Sequence, residues 1–133
     1  MKRLTLLLFL LLVGTVLNVS AQVTIAPTNL FIDSNSKFGT YMVINGSNEP
    51  QEIAVDFFFA YGDLDETGER RNVTDDNEME EKHSISNNIR AFPQNFVLQP
   101  GQRQIVRLRV TGNTTGWEDG TYWARIKTAA TPQ

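Results

Sequence analysis

The chain has 133 residues, with 12 basic and 15 acidic side chains and a formal net charge of −3. Nucleic-acid binding needs a basic surface, so this charge argues against a nucleic-acid partner. The absence of cysteine excludes disulfides, thiolate metal sites and a cysteine nucleophile. No catalytic constellation accompanies the single histidine, His83, so we expect no enzymatic activity, no cofactor and no small-molecule substrate.

Residues 1–21 are typical of a secretory signal peptide. Lys2 and Arg3 precede an apolar run from Leu4 to Leu17, and Val19-Ser20-Ala21 is a small-residue cleavage site. The run is short for a membrane span of ~20 residues. We therefore expect export with cleavage after Ala21, which leaves one domain, residues 22–133, that is not held in a membrane.

Short alternating apolar runs separated by turn residues fill this domain. The predicted strands are Val23–Ile32 with a break at Pro27, Tyr41–Ile44, Ile53–Phe59, Ile89–Phe92, Phe96–Leu98, Gln104–Val110 and Thr121–Thr128. This series, without a helical period, predicts an all-β, immunoglobulin-like sandwich. The face that carries Phe57 and Phe59 is expected to form an aromatic centre of its core.

Tyr61 to Lys82 differs in composition from the rest of the domain. It contains nine acidic and three basic side chains and has no lasting period, so we predict an exposed hairpin or a long loop. Asp63-x-Asp65-x-Thr67-Gly68 has the opening spacing of a calcium loop, but Thr74 stands where a bidentate glutamate is expected. We predict an acidic turn and no metal site.

The most regular pattern lies between Phe96 and Val110. Pro100-Gly101 predicts a tight turn between two strands. In the second strand Val106 and Leu108 would face the core, while Arg107 and Arg109 would face water. These two arginines are either the solvated side of a strand or a site for an acidic partner, and we favour the solvated side.

The last predicted strand carries the predicted partner-binding residues. Asp119-Gly120-Thr121-Tyr122 resembles a tyrosine corner, whose phenol bonds back to the main chain. Only the five residues Ala129–Gln133 follow this strand, so we expect a sandwich without its final strand and with an open edge. Exposed groups beside an open edge often mark a contact surface, which points to three side chains directed away from the core: Trp123, Arg125 and Lys127.

One motif resembles a known family. Phe-x-Leu-x-Pro-Gly-x-x-Gln-x-Val-Arg-Leu, from Phe96 to Leu108, and the later Tyr122-Trp123 are similar to the amino-terminal domain of PapD-like periplasmic pilus chaperones. The resemblance implies a two-domain periplasmic protein that lends a strand to an incomplete pilus subunit. It also implies a basic cleft for the subunit's terminal carboxylate. Asn29 stands where the family has an arginine of this cleft, and we add Asn29 to the predicted partner-binding residues.

The predicted function is therefore that of a periplasmic chaperone-like protein for pilus or fimbrial subunits, which binds them by strand addition. The family's donor strand and second domain would lie beyond Gln133. The alternative is a structural or adhesive exported module of the same fold that accepts a strand, as a pilin does.

Overall fold

The computed structural model describes residues 1–5 and 22–133. Their elements, in chain order, are β1 Val23–Ala26, β2 Phe38–Asn45, β3 Gln51–Phe58, β4 Tyr61–Leu64, β5 Arg70–Val73, α1 Asn77–His83, β6 Ile89–Phe92, β7 Asn95–Leu98, β8 Arg103–Val110 and β9 Arg125–Pro132. Residues 6–21, on which most of the predicted signal peptide falls, lie outside the described part. Within the described part, no helix is long and apolar enough to cross a membrane.

Seven of the strands form the two layers of a sandwich. Sheet A has the order β1-β2-β8-β6 and sheet B the order β7-β3-β9, while β4 and β5 form a separate hairpin. All strand pairs are antiparallel. The prediction of an all-β, immunoglobulin-like fold is confirmed.

The core lies between the inner faces of the two sheets. Val43, Val106 and Leu108 are buried on sheet A, and Ile53 and Val55 are buried on sheet B. Every second residue of these strands points inward, because side chains alternate across a strand. The predicted inward direction of Val106 and Leu108 is therefore confirmed.

The predicted aromatic centre of this core is wrong. The fully buried hydrophobic side chains are aliphatic, and Phe57 is only half-buried at the margin. Phe59 is buried, but it packs against Tyr61 and Trp123, with ring centroids 6.2 and 5.2 Å away. The alternation of β3 is correct, but the strand ends at Phe58, so Phe59 leaves the sheet and joins an aromatic cluster at its end.

The predicted turn at Pro100-Gly101 is confirmed. Gly101 has a φ of +76°, and the Gln102 N–H donates to the Gln99 carbonyl at 3.0 Å. A glycine at this position avoids backbone strain, because residues with a side chain are strained at positive φ. The two strands do not pair with each other, since β7 belongs to sheet B and β8 to sheet A. The turn thus carries the chain from one layer to the other.

Asn45 holds this crossing to the neighbouring turn. Its side chain is fully buried, and Nδ2 donates to the carbonyls of Glu49 and Leu98, both at 2.9 Å. Its Oδ1 accepts from the main-chain N–H of Ser47 at 3.0 Å and from the Ser47 hydroxyl at 2.6 Å. A single buried amide therefore joins β2, the following turn and β7.

The acidic stretch contains more structure than predicted. It forms the β4–β5 hairpin and the seven-residue helix α1. Asp76 caps the helix by accepting from the Met79 N–H at 3.1 Å, and Lys82 pairs with Glu78 one turn earlier at 2.8 Å. Both contacts stabilise short helices. The helix is too short for its apolar residues to show a period, which is why the sequence pattern did not indicate it.

Two predicted strands have different limits in the structure. The first strand ends at Ala26, and Leu30 and Ile32 pack against the core outside any strand. The last strand runs over Arg125–Pro132 rather than Thr121–Thr128, so most of the predicted tail is part of the sheet. Main-chain contacts hold the preceding residues, since the Trp123 N–H donates to the His83 carbonyl at 2.9 Å. Pairing with β3 therefore begins at Arg125.

Candidate partner-binding edge

Strand β9 is an edge of sheet B. It pairs with β3 from Arg125, opposite Phe58, to Pro132, opposite Gln51. Within residues 22–133 no other strand pairs with β9. The outer side of an edge strand presents main-chain donors and acceptors that can pair with an added strand. We call this side of β9 the free edge.

The side chains that β9 directs toward the core are small or only partly buried. Ile126 packs against the core cluster without full burial, and the next inward positions are Thr128 and Ala130. An added strand with apolar side chains on one face could therefore bury further apolar surface on this side of the sandwich.

Arg125 and Lys127 both point to the outer side of sheet B. Lys127 is exposed and lies opposite Asp56 of β3. Arg125 is half-buried and lines an open depression of about 540 Å³ together with Arg70, Arg71 and Asp63 of the hairpin, where Asp63 already pairs with Arg71. Guanidinium groups in such a depression suit a carboxylate. The sequence did not indicate Arg70, because only the fold brings the hairpin beside β9.

Trp123 is not the exposed aromatic that the sequence predicts. It is half-buried, its ring stacks on His83 at 5.0 Å with an interplanar angle of 18°, and its Nε1–H donates to the Ala60 carbonyl at 3.1 Å. His83 in turn holds the Thr121 carbonyl, 3.1 Å from Nδ1. These contacts anchor α1 to the segment before β9, and a binding role for Trp123 stays a prediction.

Asn29 lies in the exposed segment between β1 and β2. No hydrogen bond among the described residues links Asn29 to Trp123, Arg125 or Lys127. The structure therefore brings Arg125 and Lys127 together but shows no contact from Asn29 to them. Phe31 in the same segment is 97% exposed. Leu30 and Ile32 pack against the core, so the side chain between them points away from it.

The tyrosine corner is confirmed. The Tyr122 hydroxyl donates to the Glu118 carbonyl at 2.8 Å, and its ring lies 4.7 Å from that of Trp117. This contact closes the loop that leads into β9.

The calcium-like spacing forms a turn held by its own carboxylates. Asp65 Oδ1 accepts from the N–H groups of Thr67 and Glu69 and from the Thr67 hydroxyl. These bonds lower the pKa of Asp65, with the Thr67 hydroxyl as the largest cause. Asp63 pairs with Arg71 at 3.3 Å. The carboxylates of Asp63 and Asp65 thus stabilise the hairpin, in agreement with the predicted acidic turn.

Asp76 joins the hairpin to the helix. Its Oδ2 accepts from the Tyr61 hydroxyl at 2.6 Å, while its Oδ1 caps α1. The Tyr61 bond is the largest cause that lowers the pKa of Asp76, and the Met79 N–H lowers it further. The same bond raises the pKa of Tyr61.

We expect the protein to lose stability on acidification below about pH 4, the ordinary range of aspartate. The folded pKa of Asp76 is below its unfolded value, so its contribution is complete above the unfolded pKa and is lost as pH falls through the folded pKa. Asp76→Asn keeps a capping amide but removes the charge. Thermal melting from pH 7 to pH 3 should show a smaller fall for this variant than for the wild type. Asp75→Asn is the matched control, and equal pH dependence of wild type and Asp76→Asn would contradict the assignment.

No protein-family model and no curated protein matches the sequence. Among solved structures, the periplasmic chaperone SfaE aligns with a TM-score of 0.52 at 14% identity, over 82% of this chain and 48% of that one. The chain has the PapD-like fold. It spans about half the length of SfaE, 48% of that chain.

Two further structures are similar to this PapD-like domain. One is the CsuC–CsuE chaperone–tip adhesion subunit complex of Acinetobacter baumannii, with a TM-score of 0.47, 12% identity and coverage of 83% of this chain and 55% of that one. The other is a PapD-like domain of human CEP192, with a TM-score of 0.43, 15% identity and coverage of 69% and 61%.

Proposed function

We propose that this PapD-like domain is a periplasmic chaperone-like protein, not an enzyme, that binds exported pilus or fimbrial subunits by strand addition. The observation that carries the proposal is the free edge of β9, which is one strand of a three-stranded sheet and has one strand partner among residues 22–133. The fold shared with SfaE, a periplasmic chaperone, supports the compartment and a chaperone role.

Strand addition at this edge draws on two contributions. Main-chain hydrogen bonds between β9 and the added strand provide affinity that does not depend on side chains. The partly buried side chain of Ile126 in β9 contributes when the added strand covers it. Each Å² of apolar surface removed from water contributes about 25 cal/mol. A bound strand should therefore alternate apolar and polar residues.

Arg125 and Lys127 place positive charge beside the free edge. Both are basic and lie on the outer side of sheet B, although the domain as a whole is acidic. An added strand with a carboxylate near this end can pair with Arg125 in the depression that it shares with Arg70. We expect Arg125→Ala to weaken binding of a carboxylate-ended strand more than that of its amidated form.

We expect an alternating β-branched peptide to raise the melting temperature in a concentration-dependent way. A ligand of the native state stabilises it by about 2.7 kcal/mol at a concentration one hundred times its Kd. A scrambled peptide of the same composition is the control, because it removes the alternation and keeps the hydrophobicity. Scanning calorimetry with both peptides makes the test. If neither peptide shifts the melting of a stable monomer, the free edge does not accept strands.

A structural module that accepts strands would bind the same peptide. An experiment with a pilus subunit distinguishes such a module from a chaperone-like protein. A chaperone keeps an incomplete pilus subunit soluble in a one-to-one complex, whereas a structural module adds to subunits as a polymer. Light scattering of the subunit with and without this protein distinguishes these results.

Export should leave a protein that begins at Gln22. The Lys2-Arg3 start, the apolar run and Val19-Ser20-Ala21 motivate this expectation. Intact mass of the protein recovered from the periplasmic fraction checks it. A product that keeps Met1 and sediments with membranes would contradict both the cleavage and the compartment.

A further inference from the structure

The outer face of sheet A carries an unusual set of side chains. Val106 and Leu108 of β8 point into the core, so the residues between and beside them point outward. The register extends this outer side across β2 and β6. We define the arginine face by the outward side chains Arg90, Arg103, Arg107, Arg109, Phe38 and Ile105.

The arginines of this face lack acidic neighbours. Arg109 lies opposite Phe38 on one side and opposite Arg90 on the other. No outward position of the four strands of sheet A is acidic. The ion pairs among the described residues are Arg71–Asp63 and Lys82–Glu78, so the arginine face contributes to none of them.

This arrangement does not stabilise the sheet. Like charges directly opposite each other destabilise an antiparallel pair. Sheet B shows the ordinary arrangement, because Lys127 of β9 lies opposite Asp56 of β3. The cation–π contact of Arg109 with Phe38, 5.3 Å from the ring centroid, does not neutralise the charge of the guanidinium. The cluster of positive charge therefore needs an explanation outside the stability of the sheet.

The composition of the face favours a protein partner. Phe38 is 51% exposed and Ile105 is 55% exposed, although a purely solvated strand face needs neither. All four cations are arginine. Arginine and aromatic residues are enriched in protein–protein interfaces, while lysine and acidic residues are depleted.

The complementary charge lies on the other side of the same molecule. The hairpin and helix region, residues 61–82, carries nine acidic and three basic side chains. Glu66, Glu69, Asp75 and Glu81 of this region are exposed and form none of the ion pairs found among the described residues. The hairpin lines a depression with Arg125 of sheet B, whereas the arginine face is the outer side of sheet A.

We propose that the arginine face binds the acidic hairpin and helix region, residues 61–82, of a second copy of this chain. The two charged surfaces of one molecule make no ion pair with each other, so their contact joins two molecules. The main-chain edge of β9 belongs to neither charged surface, although the hairpin lines the depression that contains Arg125.

The test is sedimentation velocity of the purified protein over a range of concentrations. We expect reversible self-association at low ionic strength that weakens at about 0.5 M salt, where charges on the surface are screened. Glu69→Lys should weaken it about tenfold, since opposed charges become like charges. Glu118→Lys makes the same charge change at an exposed site outside both surfaces and should leave the association unchanged.

Charge reversal on each of the two surfaces, tested separately and then in a mixture, identifies the contact. Arg107→Glu alone should also associate weakly, and its mixture with Glu69→Lys should recover a heterologous complex. Melting curves verify that each variant is folded.

A wild-type protein that stays monomeric at low salt, or an association that Arg107→Glu leaves unchanged, would overturn the proposal. Binding of the monomer through these arginines to phosphatidylglycerol vesicles would instead assign the face to an anionic membrane. Self-association through β9 edges would persist at high salt, which separates it from this contact.

Discussion

Leu108→Ala is expected to destabilise the protein by about 2–5 kcal/mol, the range for a buried leucine that leaves a cavity. Leu108 is 1% exposed, and it packs in the core cluster with Ala91 and Val106. Its strand lies between β2 and β6, so the surrounding main chain is held on both sides and cannot collapse into the space. Urea titration of the variant and the wild type measures the loss.

The control for this prediction is Ile105→Thr in the same strand. Ile105 is 55% exposed on the outer side, and threonine keeps the β-branched shape that strands prefer. We expect a change within about 0.5 kcal/mol, as for other surface substitutions. Equal losses for the two variants would contradict this assignment of the inner and outer faces of β8, and a larger loss for Ile105→Thr would mean that the faces are reversed.

Asn45→Ala is expected to cost about 2–4 kcal/mol, because a buried group that loses its partner costs about 1–3 kcal/mol. The substitution removes the donor to the Glu49 and Leu98 carbonyls and the acceptor of the Ser47 N–H. Water cannot replace the amide readily, since Asn45 is fully buried and Leu98 is 3% exposed.

Ser47→Ala distinguishes the contribution of the Asn45 amide to stability from that of the Ser47 hydroxyl. It removes the hydroxyl that donates to Asn45 Oδ1 at 2.6 Å but keeps the main-chain bond from the Ser47 N–H. We expect a loss of about 1–2 kcal/mol, because the hydroxyl also accepts from Gln51 Nε2 at 3.3 Å and Gln51 is 6% exposed. Chemical denaturation of both variants makes the comparison. A loss for Asn45→Ala no larger than that for Ser47→Ala would show that the buried amide does not hold the crossing.

The local parts of the fold could be predicted from the sequence. Period-two alternation indicated the inner face of β8, and Pro100-Gly101 indicated the turn, because both depend on adjacent residues. The start of β9 could not be predicted in this way. It depends on the Trp123 N–H, which bonds to His83, forty residues earlier.

The candidate sites were predicted only in part for the same reason. Arg125 and Lys127 were identified because they alternate with Ile126 within one strand. The alternation of β8 also indicates Arg107 and Arg109, but it does not connect them with Arg90. Arg90 belongs to β6, and only the register of β6 with β8 places it opposite Arg109. Charges that gather across strands are not visible in a pattern read along one strand.

The strand pairs of this domain join distant parts of the chain. This affects the rate and the order in which the strands fold. Tyr41 pairs with Val106, and Ile53 pairs with Ala130. Domains dominated by such non-local pairs close long loops before they gain contacts, and they fold in about milliseconds to seconds. All four strands of sheet A precede Thr111, so that sheet can assemble while the chain is still emerging. Strand β9 follows these strands in the chain and has one strand neighbour among residues 22–133, so its amides should exchange with solvent before those of β8.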